Sequence, residues 1–226
     1  RIPSSAASDV YKRQVMYRLI SILSKVELKK IFQAKELTDT DFEKIGKAVE
    51  LLEKSNFFID DTSALSPSEI LSRSRKLKRE HPELGLIVLD YLQLMKADIS
   101  NPSRVNEMSE ISRATKALAK ELDVPVIALS QLNRASETRT NKMPIMADLR
   151  DSGALEQDAD LVVFPFRPEF HEPTPENKGI AKVIVAKHRN GETGDVLLHW
   201  AARYTSFEDL ALNDPAYDNP SFNNQN

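Results

Sequence analysis

LIVLD, residues 86–90, and VIALSQ, residues 126–131, are two apolar runs that each stop on polar side chains: Asp90 in the first, Ser130 and Gln131 in the second. Between them, roughly over Ser103–Leu122, residues Val105, Met108, Ile111, Leu118 and Leu122 recur along one side of a helix. Pro125 bars that helix from continuing. Strand, helix and strand in this order predict a βαβ unit with parallel pairing. Unbroken apolar runs further predict strands covered on both faces. Open parallel sheets bind ligands beyond the carboxyl ends of their strands, so Asp90 and Gln131 are the first candidate functional residues. A carboxylate there suits Mg²⁺ held on a nucleotide, usually through water. A neutral amide beside it suits a γ-phosphate or the attacking water. The alternative is that Asp90 caps the next turn and Gln131 merely ends a strand.

Outward from this unit the alternation continues. Thr38-Asp39 caps a helix with Phe42, Ile45, Val49 and Leu52 at spacings of three and four, and Phe57–Ile59 reads as a short strand. Ser66-Pro67-Ser68-Glu69 is a capping box with proline at the first helical position, opening a helix to about Glu80. Downstream, Leu161–Phe164 and Lys182–Ala186 are further strands, separated by the proline-rich excursion Pro165–Gly179. The turn Asn190–Gly194 leads into Val196–His199 and then Tyr204–Phe207, a pair close enough in sequence to be antiparallel. The fold class expected is α/β, with a mainly parallel central sheet flanked by helices.

Both ends differ in character. Residues 1–14, RIPSSAASDVYKRQ, are Ser/Ala-rich without apolar periodicity and read as a leader foreign to the domain, which then begins at Val15 and runs to about residue 210. Residues 211–226 are polar and turn-rich, a flexible tail.

Composition excludes several classes of function. With 31 Lys+Arg against 34 Asp+Glu the net charge is −3, so the chain is not a globally basic nucleic-acid binder, though a local basic groove is compatible. At 41% hydrophobic it can fill a core, and no run approaches the ~18 apolar residues needed to span a bilayer. With no secretory h-region either, a soluble intracellular protein is expected. No cysteine means no disulfide, thiol nucleophile or Cys-based zinc site. The six glycines, at 46, 85, 153, 179, 191 and 194, include no pair five apart, so these 226 residues hold no G-x-x-x-x-G-K-[ST] phosphate loop.

Four stretches carry a family resemblance: LIVLDYLQLM (86–95), SEISRATKALAKELDVPVIALSQLNR (109–134), DLRDSGALEQDADLVVF (148–164) and VIVAKHRNGETGDV (183–196). In that order they resemble the replicative DNA helicases of the DnaB family, over about Val15 to Leu210. The resemblance implies a RecA-like ATPase domain, here a partial one that starts after the family's Walker A loop. It also implies ATP and Mg²⁺ as cofactors, a homohexameric ring, and 5′-to-3′ unwinding. Single-stranded DNA, a primase and a helicase loader would be the partners, in the cytoplasm at replication forks on the nucleoid, with no membrane association.

Residue by residue, Asp90 resembles the Mg²⁺-associated Walker B aspartate and Gln131 the γ-phosphate sensor. Lys187 and Arg189 in AKHRNG match the residues that reach the ATP of a neighbouring subunit, where a planar guanidinium stabilises the transferred phosphoryl group. From the residues alone they could equally be solvated charges on an edge strand. His188 stands where many relatives have glutamine. DLRDSG resembles the loop that binds single-stranded DNA, with Arg150 on a phosphate and the backbone N–H groups of Asp151 and Gly153 on the same strand. The family commonly has glutamate in place of Asp151, and the alternative for this segment is a helix-capping turn with Asp148 as the cap. Asn133–Met143 would be a mobile loop beside the channel. The catalytic glutamate is expected just before Val15; Asp9 falls near that place and is not credited with the role.

RSRKLKR (73–79), with five basic residues and no interleaved aromatic, reads as a solvated helix face. Without the missing loop, the chain alone is expected to be catalytically inactive. A recombinase-class RecA-like ATPase and a non-catalytic assembly fragment are the alternatives.

Overall fold

Reciprocal capping sets the helix starts where the spacing predicts. The Thr38 hydroxyl accepts the Asp41 N–H at 3.2 Å while the Asp41 carboxylate accepts the Thr38 N–H at 3.1 Å, opening a helix over Asp39–Glu53. The Thr38 amide also holds the Asp41 carboxyl below its ordinary pKa. Ser66 and Glu69 repeat the arrangement at the start of Pro67–Glu80.

In this computed structural model residues 4–98, 103–133 and 139–210 are described, with only the backbone described for 4–10 and 150–152. The helices are α1 Ser4–Ser24, α2 Leu28–Gln33, α3 Asp39–Glu53, α4 Pro67–Glu80, α5 Arg104–Leu122 and α6 Gly153–Asp158. The strands are β1 Ile87–Leu89, β2 Val126–Ala128, β3 Leu161–Phe166, β4 Ile180–His188, β5 Gly194–Ala201 and β6 Ser206–Asp209, and short 3₁₀ turns lie at Leu92–Leu94, Met146–Ser152 and Pro168–Phe170. The expected tail at 211–226 lies outside the described residues, as does 134–138 of the expected mobile loop.

β1 and β2 pair in parallel, with Ile87 opposite Val126 and Leu89 opposite Ala128, as the βαβ pattern predicts. The later strands form a separate sheet in the order β3-β4-β5-β6, in which β5 and β6 are antiparallel. The strands expected in one central sheet therefore divide between two. The chain also divides into two compact units, one built from 62–164 with 184–194, the other from 4–61, 165–183 and 195–210.

In the first unit, Leu92 from the turn after β1 packs with Met108 and Ile111 of α5, all at most 1% exposed. Each such burial stabilises the fold by roughly 1.5–3 kcal/mol. Leu149, Val162 and Phe164 form a second cluster. In the other unit Ile180 and Leu210 are buried together, and Lys182, 4% exposed, is neutralised by Asp195 at 2.6 Å.

Three expectations fail. Phe57–Ile59 is not a strand: it lies in irregular backbone with Phe57 and Phe58 half-exposed, and a strand needs a ladder partner that apolar composition cannot supply. The β1 and β2 runs are not covered on both faces. Leu86, Val88, Ile127 and Leu129 are each about half exposed, so the period-two burial is that of a one-sided sheet. The α5 stripe is also shorter than its spacing, since Val105 remains 56% exposed.

At the start of the chain, α1 crosses the expected leader boundary between Gln14 and Val15 without a break. Alanine is the best helix former, and extending an existing helix costs far less than nucleating one, which offsets the weaker propensity of the serines.

Candidate functional site

The parallel pairing brings the first two candidates to adjacent strand ends. Leu89 O accepts the Leu129 N–H at 2.9 Å, and Leu129 O accepts the Leu92 N–H at 3.0 Å, so the chain leaves both strands together. Asp90 follows β1 and Gln131 follows β2, both exposed. The Asp90–Tyr91 peptide is cis.

A residue that the sequence reasoning passed over holds this pair of ends together. The Gln93 side-chain amide donates to Ser130 Oγ at 2.9 Å and to the Gln131 carbonyl at 3.2 Å, while its own oxygen accepts the Gln131 N–H at 3.2 Å. Gln93 thus pairs with the backbone of the candidate sensor as another strand would. Its signal in the sequence was a lone amide between Leu92 and Leu94 in an otherwise apolar run. Arg104, paired with Glu107, donates to the Gln93 carbonyl at 3.3 Å.

Gln93, Arg104, Gln131, Asn133 and Asp148 line one pocket of about 180 Å³ with Met108, Leu132 and Leu149. The candidate sensor and the start of the candidate DNA loop are therefore neighbours. Asn133 N–H donates to Asp148 O at 3.0 Å. The Asp148 carboxylate, 4% exposed, accepts from the Ile145 N–H at 2.9 Å and from Arg139 at 2.7 Å. Asp148 therefore holds the start of the turn from its third position, with Ile145 rather than Asp148 at the cap, and Arg139 anchors the same point.

Arg150 and Asp151 lie within the turn Met146–Ser152, which runs directly into α6 at Gly153. Gly153 has φ −53, and a Cβ placed there meets nothing within 4 Å. Neither backbone strain nor packing demands glycine at this position, so its bareness is available for close approach of a ligand.

Lys187 and Arg189, near the end of β4, are not simply solvated. Lys187 Nζ donates to the Glu156 and Gln157 carbonyls at 2.6 and 3.3 Å. Arg189 donates to Gln157 O at 3.3 Å and pairs with Asp160 at 3.0 Å. These carbonyls lie at the C-terminal end of α6, where a helix favours cations. Lys116 of α5 also bonds Asp160. That hydrogen bond, with the charges of Lys116, Arg189 and Lys187, holds the Asp160 carboxyl below its ordinary value. His188 belongs to the turn: its ring covers Gly191, where a Cβ would come within 2.4 Å of it, and its Nδ1 lies 3.3 Å from Glu192 O.

The basic cluster of α4 is engaged as a surface face. Arg75 makes two bonds to Glu121, Lys78 caps Leu84 O at 2.9 Å, and Arg73 reaches Thr62 at 2.8 Å. Among the described residues no group of three His, Cys, Asp or Glu side chains is placed to hold a metal, and no helix is long and apolar enough to cross a membrane. A lone strand-end carboxylate nevertheless fits Mg²⁺, which keeps most of its water and takes phosphate oxygens as its other ligands.

Comparison with known proteins places the chain. Residues 6–209 match the family model of the DnaB-like helicase C-terminal domain. A protein of Pasteurella multocida (strain Pm70), named replicative DNA helicase DnaB, is 48% identical over 199 residues, which is 88% of this chain and 43% of that protein. A Buchnera aphidicola (subsp. Schizaphis graminum) protein of the same name is 46% identical over 206 residues, 91% of this chain and 44% of its own. The chain thus spans less than half the length of these relatives. A solved structure described as an ATPase domain superposes with a TM-score of 0.84 at 39% identity, covering 88% of this chain and 71% of that one. A DnaB-like replicative helicase, described with its interactions with primase, gives 0.82 at 41% identity, covering 86% and 47%. The two sheets and their helices are those of a RecA-like α/β ATPase domain, and the chain belongs to the family of DnaB-like helicase C-terminal domains.

Proposed function

We propose that this chain supplies most of the ATP-hydrolysing domain of a hexameric replicative helicase that moves 5′ to 3′ on single-stranded DNA and separates the duplex ahead of it. The observation that carries this reading is the paired strand end, where Asp90 directly follows β1, Gln131 lies three residues beyond the adjacent β2, and Gln93 clamps the Gln131 backbone. Asp90 would hold Mg²⁺ through water, and the ion would supply charge neutralisation on the phosphates. Gln131 would hydrogen-bond the γ-phosphate and report its loss to the segment leading to Asp148. Lys187 and Arg189 would act on nucleotide held by the next subunit. Arg150, with the backbone N–H groups of Asp151 and Gly153, would grip one phosphate of the DNA strand. Primase and a loader would be its partners at replication forks.

The test compares two proteins. The 226-residue chain alone should show no ATP turnover, because it holds no phosphate-loop lysine. A protein of the relatives' full length that carries this domain should hydrolyse ATP and unwind DNA, and Asp90→Ala should remove most of that hydrolysis. Turnover by the short chain, or a fully active Asp90→Ala protein, would overturn the assignment. A recombinase-class ATPase would instead pair strands without unwinding them. An assembly fragment would join rings and leave their turnover independent of Asp90.

A further inference from the structure

Asp160 touches Arg189 at two points. Its backbone carbonyl accepts the Arg189 N–H at 2.8 Å, and its carboxylate meets the Arg189 guanidinium at 3.0 Å. From the other side Lys116 pins the same carboxylate. The second guanidinium nitrogen bonds Gln157 O, at the end of α6. These side-chain contacts use two of the five N–H donors of the fork, and half of the Arg189 side chain is exposed.

An ion pair this open adds little to stability, typically 0–1 kcal/mol. Its consequence is geometric. A long side chain with four rotatable bonds would otherwise sample many rotamers, and a transition-state contact needs one of them. We propose that Asp160 is a positioning residue for the reaction: it aims Arg189, and with the α6 carbonyls it fixes the finger to the helix that begins at the DNA loop. The sequence places Asp160 in DADLVVF, one residue before β3, so its backbone is already fixed by the sheet. Lys187 shares the arrangement through Glu156 and Gln157. A shift of α6, which continues the turn carrying Arg150 and Asp151, would reach both cations at once.

The proposal rests on Arg189 acting on a neighbour's ATP, and the experiment separates the two. In a protein of the relatives' full length that carries this domain, single-turnover ATP hydrolysis is measured for Asp160→Ala, Arg189→Ala and the double variant. Asp160→Ala should lower the rate about 10- to 100-fold, the scale of a misplacement near 1 Å, with KM for ATP changed less than about two-fold. In the Arg189→Ala background it should cost nothing further, because a residue that acts through the arginine has nothing left to aim. Equal losses in both backgrounds, or an undiminished Asp160→Ala rate, would overturn the positioning role and leave the arginine assignment intact. Normal hydrolysis by Arg189→Ala would overturn that assignment, and the proposal with it. Should Asp160→Ala fail to assemble, Asp160→Asn preserves shape and one acceptor oxygen and is read in the same cycle.

Discussion

Gln131 and Arg189 are both held near strand ends, but by opposite means. Gln131 is fixed by a neutral amide, Gln93, that pairs with its backbone. Arg189 is fixed by an anion, Asp160, that a second cation shares. The difference follows from what each side chain is. An uncharged sensor needs only its backbone set, and Gln93 does that without engaging the Gln131 side chain that would read a phosphate. A guanidinium on a long side chain has many rotamers, and a carboxylate that holds one part of its fork narrows them while its other N–H donors stay open.

The largest effect should come from the charged side. Arg189→Ala in a ring-forming protein that carries this domain should reduce ATP hydrolysis by about 10³–10⁵-fold, with ring assembly and nucleotide affinity little changed. Mixed with a phosphate-loop lysine variant, it should regain some hydrolysis at the interfaces where both intact groups meet. Subunits that exchange without any recovery would remove support for action in trans.

Next comes the neutral side. Gln131→Ala should cost about 10²–10³-fold in kcat, the scale of one lost transition-state donor. Gln93→Met keeps length and removes all three side-chain hydrogen bonds. It should lower kcat about ten-fold and stability by about 1–3 kcal/mol. If Gln93→Met left kcat intact, the clamp would be structural only and the contrast between the two sites would disappear.

At the DNA loop smaller changes are expected. Arg150→Ala should weaken single-stranded DNA binding equally for all sequences and shallow its salt dependence by roughly one counterion. Gly153→Ala is the sharper probe, because a Cβ there meets nothing within the fold. Stability should hold or rise, by up to about 1 kcal/mol, as expected for alanine within a helix. Lost DNA affinity would then report a backbone approached by the strand, and unchanged affinity would favour the capping turn held by Asp148. Asp151→Glu should be nearly silent, since the expected contact there is a backbone one.

The smallest effect concerns pH. The Asp160 carboxyl lies below its ordinary value of 3.8, held there first by the Lys116 hydrogen bond. Its tie to Arg189 is therefore complete above that value and is lost only as pH falls through the lower, folded one. Between pH 5 and 8, the shape of the hydrolysis profile should be the same for Asp160→Asn as for the parent, whatever the difference in height. A changed acid limb in that range would mean that the Asp160 carboxyl titrates well above its ordinary value, contrary to the ionic side of the comparison.

Local chemistry was legible without coordinates. The caps at Thr38 and Ser66, the stop before Pro125 and the parallel β1–β2 unit each depend on a few neighbouring residues, whose hydrogen-bonding and steric demands travel with the sequence. The four motif stretches likewise pointed to the family, because a long ordered match rarely arises by chance. Three things needed tertiary structure. Phe57–Ile59 has strand composition without strand structure, since pairing is a property of two segments. The half-exposed faces of Val88 and Ile127 depend on what lies over a sheet, which an apolar run cannot state. Gln93 and Asp160 gain their meaning from partners 38 and 29 residues away, Gln131 and Arg189. Residue types, spacings and caps are encoded locally; which amide clamps which backbone, and which carboxylate aims which arginine, is decided only when distant segments meet.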